Sequence, residues 1–158
     1  SLLNTSPSGM VERIESLFKD KKELEKKLKK RPENENLDSK IMDKFETVGK
    51  HKMLVMKTQV SSIDDLKILG DTIFNRLPSG VAIIFAEGEE KPMAVVVVSK
   101  NLNEEGVLAG EIAKTVGGLM GGGGGGKPHL ATAGGKDNSA IDDAISSMKK
   151  LINETLNR

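Results

Sequence analysis

The amino-acid sequence predicts an α+β fold: an N-terminal, coiled-coil-like helical arm, then a mixed sheet packed by helices in the order ββαββα, glycine loop, α. Three observations predict it. Residues 7–30 carry an apolar stripe at heptad spacing, residues 81–86 and 93–98 are unbroken apolar runs, and three later stretches repeat their apolar residues at helical period. The boundaries follow as a helical arm over 1–31, a linker over 32–40 and a globular domain over 41–158.

The arm begins at Ser6, an N-cap residue type, with Pro7 at the first helical position, where its missing N–H costs nothing. Met10, Ile14, Leu17, Leu24 and Leu28 form the stripe, interrupted by Lys21. A helix with so narrow an apolar face is not stable alone in water, so it requires a partner surface, either the rest of the chain or a second copy. Pro32 ends it, and residues 32–36 read as a linker.

In the globular part, 44–48 alternate apolar and polar as a first strand. Residues 49–52 read as a turn and 53–60 as a second strand. Ser61 or Ser62 caps a helix whose core positions are Leu66, Leu69, Ile73, Phe74 and Leu77, with Asp64 and Asp65 in its favourable first turn. The two apolar runs then form an antiparallel pair of central strands, buried on both faces. Asn103 opens a helix expected to bury Leu108, Ile112, Val116 and Leu119. After the glycine tract, a last helix capped by Asp137 buries Ile141, Ile145, Met148, Ile152 and Leu156.

Composition narrows the chemistry. The 158 residues contain no Cys, Trp or Tyr and only two His, which removes disulfides, thiolate zinc sites and Cys nucleophiles and leaves no His-built metal site. No apolar run approaches the roughly 18 to 20 residues of a membrane helix, and no secretory pattern opens the chain, so the expected setting is the cytoplasm, with no membrane partner. Four Phe are too few for base stacking on an aromatic platform; a nucleic acid would be read by backbone or shape. Residues 1–31 hold nine of the 24 basic and five of the 23 acidic residues, so the globular part is mildly acidic and any phosphate contact must be a local patch.

The glycine tract is the most informative feature. Gly121, Gly122, Gly123, Gly124, Gly125 and Gly126 run without interruption, preceded by Gly117-Gly118 and followed by Gly134-Gly135. Too few residues follow for a separate domain, so both ends are anchored in one fold. Ordered glycines each cost about 0.5–1 kcal/mol relative to Ala, which points to a surface that another backbone approaches closely, against the simpler reading of a tolerated loop. It is not a nucleoside-triphosphate loop: Lys127 is followed by Pro128, which lacks the hydroxyl that magnesium needs.

Gly121 to Gly126, followed by Lys127-Pro128-His129-Leu130-Ala131-Thr132-Ala133-Gly134-Gly135-Lys136-Asp137, resembles the glycine-rich signature of the DHH-associated domain as it occurs at the C-terminus of alanyl-tRNA synthetases. Residues 95–102 followed by Ala109-Gly110-Glu111, Asp71 with Ser79-Gly80-Val81, and the N-terminal segment with its heptad helix extend the resemblance over nearly the whole chain. The resemblance implies a fragment without a catalytic core or cofactor of its own, the ATP, magnesium and zinc of the parent enzyme serving other domains. It implies dimerisation through Met10, Ile14, Leu17, Leu24 and Leu28. It also implies binding of the elbow of tRNA, expected to be tRNA for alanine, in support of aminoacylation and editing. Carried onto this chain, the RNA-contacting residues are Gly121 to Gly126, Lys127, His129, Gly134, Gly135 and Lys136. A DHH phosphoesterase substrate-binding domain is the alternative, although those enzymes carry His where this chain has Lys127-Pro128; a self-associating structural domain without RNA is the other.

Overall fold

In the computed structural model, residues 41–60, 62–88 and 91–157 are described, together with Phe18. The expected arm, with its dimer stripe Met10, Ile14, Leu17, Leu24 and Leu28, and the linker lie outside the described residues. Among the described residues the globular unit holds a six-stranded mixed sheet and helices: β1 (Glu46–Val48), β2 (His51–Thr58), α1 (Ile63–Arg76), β3 (Gly80–Glu87), β4 (Pro92–Val98), α2 (Lys100–Glu104), α3 (Ala109–Leu119), β5 (Gly123–Gly126), β6 (Leu130–Gly134) and α4 (Ile141–Leu156).

Strand order is β1-β2-β3-β4-β6-β5. Only β2 and β3 pair in parallel, joined by the crossover helix α1; all other neighbours are antiparallel. The unbroken apolar runs are the central strands, as expected: residues 81–86 and 94–98 are fully buried because helices cover both faces. One face packs Val81, Ile83, Phe85, Val96 and Val98 against α3 and α4, through Ala113, Val116, Ile141 and Met148. On the other, α1 lies so close to β4 and β6 that a Cβ on Gly70 would stand 2.7 Å from the Leu130 side chain and 2.9 Å from that of Val95.

Local signals account for the helix ends. Ser62 caps α1, its hydroxyl accepting the Asp65 N–H at 3.1 Å. Asp137 caps the single 3-10 turn (Asn138–Ala140) that leads into α4, accepting the Ser139 N–H at 2.8 Å. That bond holds the Asp137 carboxyl below its ordinary value of 3.8. The depressed carboxylate therefore contributes stability above that value, which is lost as pH falls through its folded pKa.

Four expectations need correction. The turn expected over 49–52 closes earlier: β2 starts at His51, which is 4% exposed because it enters a polar network below the sheet end. The helix expected from Asn103 breaks at Gly106, whose φ of 92° no L side chain favours, into α2 and α3. In α3 the inward residues are Ala109, Ala113, Val116 and Gly117, while Leu108 and Leu119 are 37% and 42% exposed. Finally, the expected glycine loop is a strand: Gly123–Gly126 forms β5, the edge of the sheet, hairpinned to β6.

The network joins the starts of β2 and β3 to the end of β4. Gly80 N–H donates to Ser99 Oγ (2.8 Å), Ser99 Oγ to Asn101 Oδ1 (2.7 Å) and Asn101 Nδ2 to Ser79 Oγ (2.8 Å), which lies 2.6 Å from His51 Nδ1. Ser99 is completely buried, so nothing replaces its bonds if it is cut back. Ser99→Ala is expected to lower unfolding free energy by about 1–3 kcal/mol, the cost of stranding a buried donor and acceptor. Chemical denaturation measures it; a change below about 0.5 kcal/mol would show that the network is not structural.

Candidate functional site

The glycine hairpin is built by two backbones meeting without side chains between them. Helix α3 lies across β5, and a Cβ on Gly124 would overlap the Ala113 carbonyl. A Cβ on Gly117 would likewise overlap Gly123, and one on Gly110 would stand 3.2 Å from the Gly126 carbonyl oxygen. On the same inner face Ala131 and Ala133 of β6 are buried, and Gly135 has no room for a Cβ beside Met120. Gly122 is excluded from bearing a side chain by the Gly134 carbonyl, and Gly126 by Ala131.

The other glycines are different. Cβ atoms on Gly123, Gly125 and Gly134 would meet nothing within 4 Å, and none of the three has positive φ. Packing does not require glycine at these positions. Successive residues of a strand face opposite ways, and register places Gly123 opposite Gly134 and Gly125 opposite Thr132. These four residues thus share the α1 face of the sheet, where the three glycines leave the surface bare beside Thr132.

Lys127 belongs to the same patch. Its N–H donates to the Leu130 carbonyl at 2.9 Å, which continues the ladder, and Leu130 faces α1. Opposite residues share a face, so the exposed Lys127 stands beside Gly125. The same bond sets the phase of the ladder. Gly123 and Gly125 bond to β6, whereas Gly124 and Gly126 turn their N–H and C=O groups to the free edge of the sheet. The site therefore offers bare Cα atoms on its surface, backbone donors and acceptors at its rim and one cation.

The remaining expected site residues divide. His129, half-buried at the hairpin tip, packs its ring against Phe74 of α1 with centroids 4.8 Å apart, and its carbonyl accepts the Val98 N–H. The Pro128 carbonyl accepts the Ala109 N–H at 2.7 Å, so the tip is tied to both α3 and β4. Lys136 is exposed but sits at the opposite end of the hairpin, its N–H on the Met120 carbonyl. About 20 Å of strand separates its level from that of Lys127, so the two do not converge. Gly121, with φ of 72°, turns the chain out of α3. Thr132 is not among the site residues expected from the sequence, and Phe74 is expected there only as a core residue of α1. The alternation Leu130-Ala131-Thr132-Ala133, with small residues on every second position, is the signal that could have identified the floor and its partner strand.

The comparisons with known proteins concern the same residues. The DHHA1 domain model matches residues 51–154. The alanine–tRNA ligase of Alkaliphilus metalliredigens is 35% identical over 160 residues, covering 99% of this chain and 18% of that protein. That of Acetivibrio thermocellus is 36% identical over 158 residues, covering 98% and 18%. The chain thus spans less than a fifth of the length of these curated relatives. Among solved structures, the C-Ala domain from Aquifex aeolicus alanyl-tRNA synthetase superposes with a TM-score of 0.63 at 29% identity, over 70% of this chain and 98% of that one.

The two glycine classes make opposite predictions for folding. Gly124→Ala is expected to destabilise by about 1–3 kcal/mol, because a backbone carbonyl cannot move aside for the new methyl. Gly123→Ala and Gly125→Ala are expected to leave stability unchanged or slightly raised, since they only remove freedom from the unfolded chain. Thermal melts of the three variants check this; equal losses would mean that the two faces are not distinct.

Proposed function

The chain belongs to the DHHA1 domain family, and from that premise we propose that it is the C-terminal tRNA-binding and dimerisation domain of an alanyl-tRNA synthetase. Its glycine hairpin grips the elbow of the L-shaped tRNA. In this reading the steps that use ATP, magnesium and zinc belong to other parts of the parent chain, and this piece holds tRNA for alanine for aminoacylation and editing. The partners are tRNA, a second copy through residues 1–31, and the remaining synthetase domains.

The observation that carries the RNA role is the bare patch of Gly123, Gly125 and Gly134, where the fold itself has no need of glycine. A surface without side chains lets a ribose, a phosphate or the face of a base pair approach to van der Waals distance. The N–H groups of Gly124 and Gly126 at the rim are fixed donors for its oxygens. Such contacts read shape, which suits a folded RNA and a chain with 3% aromatic residues. Lys127 supplies a point charge for phosphate.

Binding of tRNA to the full chain is expected to weaken with salt, the slope of log K against log salt reporting the phosphates neutralised. Lys127→Glu and Gly125→Val are each expected to lower affinity about tenfold or more while leaving the melt intact. Unaltered tRNA affinity in both would remove this surface from the role, and dimerisation without any tRNA binding would favour a purely structural domain. Light scattering of the full chain against residues 38–158 tests self-association: a dimer and a monomer are expected, and two monomers would remove the arm from that role.

A further inference from the structure

The topology gathers cations at one end of the sheet. At this end β2, β3 and β6 begin and β4 ends. Lys50 lies in the β1–β2 turn, Lys52 at the start of β2, Arg76 at the end of α1, Lys100 at the start of α2 and Lys127 in the β5–β6 hairpin. All five are exposed. Among the described residues none of them forms an ion pair, whereas Lys57, Lys67, Lys114 and Lys149 elsewhere each meet a carboxylate. Glu46, four residues before Lys50, and Glu104, four after Lys100, are the acidic groups nearest in sequence to the cluster, and Glu46 meets Lys149 at 3.9 Å. The opposite end of the sheet, where β2 and β3 finish, carries Asp64, Asp65, Glu87, Asp137, Asp142 and Asp143. Among the described residues the two ends of the sheet therefore differ in charge, the acidic end also holding Lys57, Lys67, Lys91 and Lys136.

The cations stand on a braced support. His51 lies between Lys50 and Lys52, Ser99 and Asn101 flank Lys100, and Ser79 follows Arg76 by three residues. These four residues are the buried network described above, so each cation-bearing segment on this side is bonded to the next. Backbone bonds add to it: Lys52 N–H to the Ser79 carbonyl at 2.9 Å, and Ser99 N–H to the Gly80 carbonyl at 3.0 Å. Lys127 is held by the ties of Pro128 and His129 to α3 and β4. Fixing the anchors in advance lowers the ordering cost of a multivalent contact. From β2 to β5 the row crosses four inter-strand spacings, about 20 Å.

We propose that this end of the sheet is a second RNA-contacting surface, in which Lys50, Lys52, Arg76 and Lys100 hold the phosphate backbone and Lys127 joins it to the glycine patch. The proposal rests on the tRNA reading and extends it: the glycine patch engages shape, and the basic end sets position and orientation on the RNA. A run of phosphates is the chemistry that fits a spread row of unpaired cations, since a single small anion could reach only one or two of them.

The test is tRNA titration of the full chain over a range of salt, comparing the parent with the combined Lys50→Gln, Lys52→Gln and Lys100→Gln variant. Neutralising three phosphate contacts is expected to lower affinity at least tenfold and to reduce the salt slope by about 2 to 3. Changing the same three to Glu should lower affinity further, and Lys91→Gln with Lys150→Gln should leave slope and affinity unchanged. Melting curves confirm that these exposed replacements fold. An unchanged slope in the triple variant, with Lys127→Glu still weakening binding, would overturn this inference and leave the tRNA reading standing. Absence of any salt-dependent tRNA binding by the parent chain would overturn both.

Discussion

The contact on which the rest depends is that of one backbone on another, α3 on β5. A strand made of four glycines brings no apolar side chain to the core and loses more conformational entropy than any other sequence would. It remains a strand because β6 bonds it along one edge and α3 covers it from one face, at a distance that only Ala113, Gly117 and Gly110 permit. The apolar driving force comes from neighbours: Val116 and Met120 of the α3 region and Ala131 and Ala133 of β6 are buried and share the same core as Phe85 and Val96. The glycines are therefore carried by the fold more than they stabilise it, and the face turned away from α3 is left without side chains.

That arrangement gives a physical meaning to shape recognition. A bare strand at a sheet edge has fixed peptide dipoles and no rotamers to order, so contact with a rigid partner costs little conformational entropy on the protein side. It cannot, however, supply attraction at a distance. In the proposed complex the cations at the end of the strands supply the long-range component, and the network of His51, Ser79, Ser99 and Asn101 keeps their anchors in place. As proposed, close approach and electrostatic steering are thus placed on two surfaces that meet at Lys127.

Much of this architecture is legible in the sequence, and the rest fails for identifiable reasons. Short, β-branched apolar runs such as Val95–Val98 favour central strands, and the stripe Ile141, Met148, Ile152 and Leu156 has the period of an amphipathic helix, so these elements appear where composition and periodicity place them. Glycine repeated six times carries no period, and its low strand propensity argues for a loop; β5 exists through pairing that lies outside its own sequence. Around α3 the larger residues Leu108 and Leu119 look like the core, yet the helix turns Ala109, Ala113 and Gly117 inward because its partner is a bare backbone, with Ile112 packed at the margin of the core. For the candidate site, the glycines and Lys127 are visible as a motif. Their division into packed and open sets is not, since it depends on which way each Cα faces. Nor is the buried network, whose members at 51, 79, 99 and 101 meet only after the β2-α1-β3 crossover is made.

Whether the edge strand touches RNA through its backbone, as proposed, is read most directly from residue-resolved amide spectra of the 15N-labelled chain during tRNA titration. The amide signals of Gly123, Gly124, Gly125, Gly126 and Lys127 are expected to shift or broaden first and together, while those of Gly117 and Ala113 beneath them follow weakly. Saturation with tRNA that left the β5 amides unmoved, with changes confined to other elements, would contradict the proposed contact.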